Sequence, residues 1–265
     1  MSATEKRAEM PSGSNTVLDR RTLEKDNANL LRVLKRGAIV LDVGCGSGSI
    51  TRGIVDQVGP EGFVTGIDVS DHLISLAQTN FSTIKNLQFE VADINTYSTE
   101  MKFDVITSAR VLQWVANPRE ILLKMKALLK PGGCIAILDY NHEKIEFVPE
   151  VPHVVKNFYY TFLHWRHEAG MDNAIADHLE GIFEDIGLRK IDIQDQSEVS
   201  SFGSDTFIDE ITIWKKVAET RGKQLVSDGY LTEEERQTTI DEYQKWMDNE
   251  ARHMKLYLKA VTGYN

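Results

Sequence analysis

A glycine-rich loop near the start of the chain is the feature best suited to bind a ligand. It follows the apolar run Ile39 to Val43, and glycines occupy every second position at Gly44, Gly46 and Gly48. Because glycine has no Cβ, a loop of this kind between a strand and a helix lets a ligand approach the backbone closely. The spacing departs from the dinucleotide pattern G-x-G-x-x-G, since the third glycine comes one residue early. Asp42, just before the loop, would repel a pyrophosphate, so a positively charged ligand without phosphate fits better.

Two later apolar segments also end in an acidic residue. The first ends at Asp68, 20 residues after Gly48, and the alternating segment 87–93 ends at Asp93. In nucleoside sites, a carboxylate at such a strand end accepts hydrogen bonds from both ribose hydroxyls. With the apolar segments that follow, the order and spacing over residues 38–142 resembles the class I S-adenosylmethionine-dependent methyltransferases. The first motif of that family is an acidic residue followed by G-x-G-x-G.

The resemblance implies S-adenosyl-L-methionine as the cofactor. Asp68 would then bind the ribose and Asp93 would contact the adenine amino group. Arg21 is one of the nearest cations available to the methionine carboxylate. Along the chain, the residues expected to bind the cofactor are Arg21, Asp42, Gly44, Cys45, Gly46, Gly48, Asp68, Val69, Asp93, Ile94, Ser108, Ala109 and Arg110.

Strand-like and helix-like segments alternate from Ala38 to Leu138, with strand five predicted at 134–138. This alternation predicts a parallel sheet with helices on both faces. The resemblance implies an α/β, doubly wound, Rossmann-like fold whose seven-stranded sheet has the order 3-2-1-4-5-7-6. Strand seven, Met254 to Gly263, is expected to be antiparallel. Further helices are predicted at residues 22–35, 205–221 and 232–252.

Residues 21–265 as a whole are predicted to form the methyltransferase domain. Two segments, one before this domain and one within it, are predicted to lie outside its sheet. Residues 1–20 are polar and are interpreted as either a disordered terminus or a lid over the cofactor. Residues 143–187 interrupt the alternation and would form a helical cap over the carboxyl edge of the sheet, where related enzymes cover the substrate pocket. The periodic segment 153–169 places on one helical stripe Phe158, Tyr159, Phe162 and Arg166.

Composition restricts the partners and the compartment. The chain has 265 residues and a formal net charge of −10, which argues against a nucleic-acid partner. Its two cysteines, Cys45 and Cys134, form neither a metal-binding spacing nor a disulfide framework, which favours a reducing compartment. The sequence contains neither a long apolar run nor a signal-peptide pattern. We therefore expect a cytoplasmic protein, a monomer or homodimer, without a membrane partner.

Two residues after strands four and five are candidates for catalysis. His142 stands at the rim of the expected pocket and titrates near neutrality, so it is a candidate general base, the alternative being a structural loop histidine. Arg110 is a candidate to bind a substrate carboxylate, the alternative being an ion pair. Asp139 with Asn141 is similar to the metal-bearing catechol-type enzymes. Because strand four supplies no partnering acid, no metal site is expected.

The prediction for function is methyl transfer to an oxygen, nitrogen or carbon atom of a small-molecule acceptor. Motifs of the amino-directed DNA, cytosine-C5, arsenite and protein arginine methyltransferases are absent, and the sequence is most similar to the group around the quinone-biosynthesis enzymes. The enzyme would align donor and acceptor in line and exclude water. The alternatives are a carboxyl methyltransferase of a small acid, similar to the trans-aconitate type, and a non-catalytic S-adenosylmethionine-binding protein.

Overall fold

The structure, a computed structural model, describes residues 3–8 and 19–265 and is built on one mixed sheet. Its strands are β1 Ile39–Val43, β2 Phe63–Asp68, β3 Leu87–Val91, β4 Phe103–Ala109, β5 Leu129–Val148, β6 Arg189–Asp195, β7 Glu198–Ser201 and β8 His253–Tyr264. In the described residues these eight strands have the order β3-β2-β1-β4-β5-β8-β6, with β7 also paired to β8. The predicted order is confirmed, and β7 is an additional strand.

The direction of the strands also agrees with the prediction. Strands β1 to β5 pair in parallel, whereas β8 runs antiparallel to β5, β6 and β7. Strand β5 differs from the prediction, because it continues from the expected segment 134–138 as far as Val148. The prediction that His142 lies in a loop after strand five is therefore wrong. His142 lies within β5, just after Asn141, where the pairing of the strand with β8 is interrupted until Glu146.

Helices connect the strands and cover both faces of the sheet. They are α1 Ala3–Ala8, α2 Leu23–Asp26, α3 Ser49–Val58, α4 Asp71–Asn80, α5 Pro118–Leu128, α6 His153–Glu168, α7 Ile175–Asp185, α8 Phe207–Ile211, α9 Ile213–Ser227 and α10 Glu233–Asn249. The predicted helix 22–35 is wrong in length. Asn27, with φ −152° and ψ 45°, ends α2, and a 3-10 helix Ala28–Arg32 follows. The predicted helix 205–221 is divided into α8 and α9.

Alternation along the central strands divides the core into two layers. Val40 of β1 packs in a cluster with Leu23 and with Ile54 of α3. Its neighbour Leu41 packs in a second cluster with residues of α5 and α7. Side chains of adjacent strand residues point to opposite faces, so one apolar run is buried by helices on both sides, as a parallel sheet requires.

A third cluster lies beyond the carboxyl edge of the sheet. It joins α6, α9 and α10 through Phe158, Trp165, Trp214, Tyr243 and Trp246. Of the predicted cap 143–187, therefore, α6 takes part in this cluster, whereas α7 packs on the sheet with Leu179 and Phe183 in the second layer. Helices α9 and α10, which follow β7, complete what we call the helical cluster.

Helix α1 docks on this helical cluster. The guanidinium of Arg7 lies 5.0 Å from the ring centroid of Trp165 and 5.1 Å from that of Tyr230, and its Nε lies 3.5 Å from a carboxylate oxygen of Asp228. Thr4 donates a hydrogen bond to the carbonyl of Ala169. The first described residues thus contact the end of α6 and the loop between α9 and α10.

Candidate active site

A cavity of about 1800 Å³ lies between the carboxyl edge of the sheet and the helical cluster. Ligand pockets commonly measure about 300–1,000 Å³, so this cavity has room for more than one small molecule. Most of the predicted site residues line it, namely Arg21, Asp42, Gly44, Cys45, Gly46, Asp68, Val69, Asp93, Ile94, Ala109, Arg110 and His142. Gly48 and Ser108 are not in the lining. Ser108 is buried, and its hydroxyl donates to the carbonyl of Val43 at 2.7 Å.

The glycine loop has the backbone conformation that only glycine adopts readily. Gly44, Gly46 and Gly48 have φ values of 74°, 56° and 82°. A Cβ on Gly44 would lie 2.3 Å from Cγ2 of Val111, and one on Gly48 would lie 2.6 Å from Cζ of Phe89. Gly44 and Gly48 are therefore required by internal packing as well as by φ. Gly46 lies between them with its backbone N–H directed at Asp68.

Asp68 organises the loop from the end of β2. Its carboxylate oxygens accept 2.9 Å hydrogen bonds from the backbone N–H groups of Gly46 and Ser70. Burial raises the pKa of Asp68, and these hydrogen bonds oppose the rise. Since each carboxylate oxygen can accept a second hydrogen bond, both remain able to receive hydroxyl groups from a ligand.

Asp42 adds a second buried carboxylate to this side of the cavity. It accepts a 2.7 Å hydrogen bond from Oγ1 of Thr51. Burial, and to a smaller degree the neighbouring Asp68, raise the pKa of Asp42 to about 6 against the hydrogen bond from Thr51, which lowers it. Two acids at one end favour a positively charged ligand there.

Residues at the ends of β2 and β3 continue the wall of the cavity beside Asp42 and Asp68. Val69 is 71% exposed although it is apolar. Asp93 is exposed, and its carboxylate accepts hydrogen bonds from the backbone and side-chain nitrogens of Asn95, while Ile94 is buried beside it. An exposed apolar side chain next to an acceptor carboxylate suits the face and the amino edge of a purine.

Arg110 is engaged within the protein. Its φ of 62° is unusual for a residue other than glycine. The guanidinium donates to the hydroxyl of Tyr140 at 3.0 Å, to the carbonyl of Asp26 at 2.9 Å and to the carboxylate of Glu198. Burial alone would lower the pKa of Arg110, but Glu198 and Tyr140 raise it. The structure thus shows the ion pair that was the alternative to substrate binding.

Arg21 is a cation of the cavity wall without such an engagement. No hydrogen bond or ion pair joins it to the other residues of 3–8 and 19–265. Burial and the neighbouring Arg110 lower its pKa, because both disfavour the charged form. An anionic group of a ligand would relieve that cost.

His142 lines the same cavity as the glycine loop. Its Nε2 lies 2.6 Å from Oε1 of Gln113. Its ring is stacked on Tyr140 with 5.0 Å between centroids and meets Phe162 and Trp214 edge-on. Burial, and then the charge of Arg166, hold the pKa of His142 well below its usual value. The imidazole is therefore neutral around neutral pH and is a weak base.

The sequence analysis did not assign a site role to several residues around His142. Gln113 and Trp214 line the cavity, and Glu198 of β7 anchors Arg110 from 88 positions along the chain. In the sequence, a charged residue, Arg166, on the otherwise apolar stripe of α6 was the feature that could have indicated a buried polar site. The structure confirms that this stripe is buried.

Comparison with known proteins identifies the family of the chain. The family model described as a methyltransferase domain matches residues 34–250. The chain belongs to this family.

Relatives of known name are similar over a shorter region. A malonyl-[acyl-carrier protein] O-methyltransferase 2 from Ilyobacter polytropus is 31% identical over 104 residues, which is 39% of this chain and 40% of the relative. A ubiquinone biosynthesis O-methyltransferase from Coxiella burnetii is 32% identical over 104 residues, 38% of this chain and 43% of the relative. The chain thus spans about two fifths of the length of these relatives.

Solved structures show the same fold at low identity. Phosphoethanolamine N-methyltransferase 2 from Haemonchus contortus, in complex with phosphomonomethylethanolamine and S-adenosylhomocysteine, is 17% identical with a TM-score of 0.56, covering 99% of this chain and 56% of that one. The YcgJ protein from Bacillus subtilis is 16% identical with a TM-score of 0.56, covering 90% and 97%. Among residues 3–8 and 19–265, no helix is long and apolar enough to cross a membrane.

Proposed function

We propose that the protein transfers a methyl group from S-adenosyl-L-methionine to a small-molecule acceptor. The observation that carries the proposal is one cavity with two unlike sides, an acidic side built on the glycine loop and an aromatic side built on β5, α6 and α9. Relatives named as O-methyltransferases and a structural neighbour solved in complex with S-adenosylhomocysteine support it. The net charge of −10 supports the absence of a nucleic-acid partner, and we infer a cytoplasmic enzyme.

The residues of the acidic side fit this cofactor. Asp68 has hydrogen-bonding capacity left for two ribose hydroxyls, and Val69 offers an apolar surface to the purine beside Asp93. Arg21 would receive the methionine carboxylate, and Asp42 places negative charge on the side that takes the cation. When bound, the cofactor supplies a methyl group attached to a positively charged sulfur. Once the methyl group is transferred, the rest of the cofactor is released as a neutral thioether.

The aromatic side would hold the acceptor. Trp114, Phe162 and Trp214 line it together with Tyr140 and His142, and flat rings of this kind pack well against a planar molecule. Rigid walls on two sides of one cavity hold donor and acceptor in line, which is the main contribution such an enzyme makes.

Closure of the cavity is part of the proposal. Residues 1–20 would act as a lid, and α6, the part of the predicted cap 143–187 that lies in the helical cluster, would act as a cap. In support, Thr4 and Ala8 of α1 line the cavity, as do Phe162 and Arg166 of α6. Most of the lid lies outside the described residues, but its α1 part already rests on the helical cluster. Covering the site would exclude water from the reacting atoms.

A methyl-release assay tests the function. The protein is incubated with a metabolite extract and S-adenosyl-L-methionine carrying an isotopically labelled methyl group, and mass spectrometry searches for acceptors that gain one labelled methyl. We expect at least one small-molecule product together with S-adenosylhomocysteine. Tight binding of S-adenosylhomocysteine in calorimetry without any labelled product from a range of extracts would instead support a non-catalytic binding protein.

A further inference from the structure

A chain of hydrogen bonds behind His142 fixes the orientation of its neighbours. The side-chain nitrogen of Gln113 donates to the carbonyl of Arg110 at 3.1 Å. The side-chain oxygen of Gln113 accepts from Arg166 at 3.1 Å and lies 2.6 Å from Nε2 of His142. Arg166 also donates to the backbone carbonyl of Gln113 at 2.7 Å. Gln113 is therefore held at both ends.

This arrangement determines which nitrogen of His142 carries the hydrogen. A carbonyl only accepts and a guanidinium only donates, so the amide of Gln113 cannot turn over without losing both partners. The atom that faces Nε2 is then an oxygen, and Nε2 must donate to it. In a neutral imidazole one ring nitrogen is a donor and the other an acceptor, which leaves Nδ1 with a free lone pair.

Nδ1 of His142 is open to the cavity. No other atom of the described residues forms a hydrogen bond with it. The residue is only partly buried. Because His142 lines the cavity, a bound acceptor can reach this nitrogen.

The surroundings keep the imidazole uncharged. The titratable or charged groups that face it are Arg166 and Tyr159 of α6 and Tyr140 of its own strand, while α9 presents the ring of Trp214. Arg166 is 0% exposed and forms no ion pair with any described residue. A proton added at Nδ1 would therefore place a second cation beside a buried one.

We propose that Gln113 and Arg166 are positioning residues that present Nδ1 of His142 as a permanent hydrogen-bond acceptor, so that the group to be methylated is an uncharged O–H or N–H and not a carboxylate. The identity of the acceptor group rests on the proposed function. A carboxylate has only lone pairs to offer and would face the lone pair of Nδ1. An aromatic hydroxyl or amine can donate to Nδ1 while its ring packs against Phe162 and Trp214. As the methyl group bonds to the oxygen or nitrogen and the sulfonium leaves as a neutral thioether, the O–H or N–H proton passes by way of Nδ1 to solvent, so the imidazole is uncharged again after each turnover.

Nitrogen-15 NMR of the histidine-labelled full chain tests the positioning without any acceptor. The variant His142→Gln identifies the resonances, and spectra are recorded from about pH 5.5 to about pH 8. We expect Nε2 protonated and Nδ1 unprotonated over the whole range. Protonation of both nitrogens with a midpoint near the usual value, or a hydrogen on Nδ1 alone, would overturn the proposal.

Variants separate positioning from general packing. Gln113→Leu should produce a mixture of the two tautomers. Arg166→Met should raise the pKa of His142 towards its usual value, whereas Arg166→Lys, which keeps the charge, should leave it low. An unchanged His142 spectrum in folded Gln113→Leu and Arg166→Met would contradict the assigned roles. If a variant does not fold, the wild-type spectrum still decides.

The chemistry of the product tests the acceptor class. Products from the metabolite-extract assay should carry the new methyl as a methyl ether or an N-methyl group, and a methyl ester would overturn the inference. Failure of the proposed function looks different, since no methylated product would then form, whether or not S-adenosylhomocysteine binds in calorimetry, while the tautomer of His142 stays as expected.

Discussion

The two sides of the cavity are built in different ways. On the acidic side, which would bind the methyl donor and is called the donor side below, Asp68 contacts Gly46, 22 positions away, and Ser70, two positions away. On the aromatic side, which would hold the acceptor and is called the acceptor side below, Gln113 joins His142 and Arg166 across 29 and 53 positions. The donor side is thus a product of one strand, its loop and the next strand end, whereas the acceptor side exists only after the whole chain has folded. Substitutions should therefore affect donor binding and acceptor turnover separately.

The largest expected effect is on the donor side. Asp68→Ala removes the carboxylate that would bind both ribose hydroxyls, which should weaken S-adenosylhomocysteine binding by roughly 2–4 kcal/mol, or about 30- to 1,000-fold. Calorimetry measures the affinity, and circular dichroism confirms the fold. Asp56→Ala, at an exposed acid of α3, is the matched control and should bind normally. Equal affinity in Asp68→Ala and wild type would refute the ribose assignment.

A pair of glycines tests whether the loop is defined by packing. Gly44 and Gly37 have similar φ values of 74° and 79°, but an added Cβ meets Val111 only at Gly44 and nothing at Gly37. Gly44→Ala should lower the free energy of unfolding by roughly 1–3 kcal/mol more than Gly37→Ala does. Both variants place an alanine at a positive φ, but only at Gly44 does a steric clash with Val111 add to that strain. Urea unfolding of both variants gives the difference, and equal losses would show that Val111 yields without cost.

On the acceptor side, His142→Ala should lower turnover and leave donor binding unchanged. Losing one buried hydrogen-bond partner costs roughly 1–3 kcal/mol, or about 5- to 150-fold in rate. Steady-state kinetics with an acceptor from the methyl-release assay, together with calorimetry for S-adenosylhomocysteine, would separate the two effects. A weakened donor affinity with normal turnover would contradict the division of the cavity.

The neutral state of His142 has a consequence for stability against pH. Its folded pKa lies well below the value near 6.5 of the unfolded chain, so folding expels a proton in acid. Stability that is present above pH 6.5 should be lost as pH falls, by up to about 1.4 kcal/mol per pH unit. Asp42 and Asp139, whose pKa values burial raises to about 6, act in the opposite direction.

His142→Gln isolates this effect, because both acids are the same in the variant. Unfolding free energies of wild type and variant, measured between about pH 5 and about pH 8, should diverge below pH 6.5, with the wild type losing more. Parallel curves would mean that His142 titrates alike in the folded and unfolded chain.

The smallest effect is expected at the contact between α1 and the helical cluster. Arg7→Ala removes two ring contacts, each worth roughly 0.5–1 kcal/mol at an accessible site, together with the ion pair to Asp228 and the hydrogen bonds to the carbonyl of Trp165 and the hydroxyl of Tyr230. Hydrogen exchange at the amides of residues 4–8 should become faster, while the glycine loop should not change. Lys6→Ala, at an exposed position of the same helix, is the control. Equal exchange in wild type and Arg7→Ala would show that these contacts do not hold α1.

The donor side could be predicted from sequence because its signals are local. Gly44 to Gly48 and Asp68 stand at strand ends, and the ends of neighbouring parallel strands meet at one edge of the sheet. The acceptor side could not, since a histidine in sequence carries no mark of its partner. His142 reads as a loop residue until the pairing of β5 with β8 is known, and Glu198 lies on a strand of four residues. Arg110 illustrates the same limit, because its partner is 88 positions away.

The length of β5 has a mechanical meaning. This single strand runs for 20 residues from the middle of the sheet to the root of α6, with β8 alongside it. The pairing of β5 with β8 is interrupted between Asn141 and Glu146, and beyond the interruption β8 also pairs with β7, so the far end of β5 belongs to a three-stranded segment. His142 lies in the interruption, where its backbone N–H donates to the carbonyl of Asn173 at 2.7 Å, so this wall of the cavity is anchored to the sheet on both sides and to the segment before α7. Small molecules should then enter and leave past the cavity-lining elements outside the sheet, α1 and α9 among them, and engineering of the acceptor range should begin there.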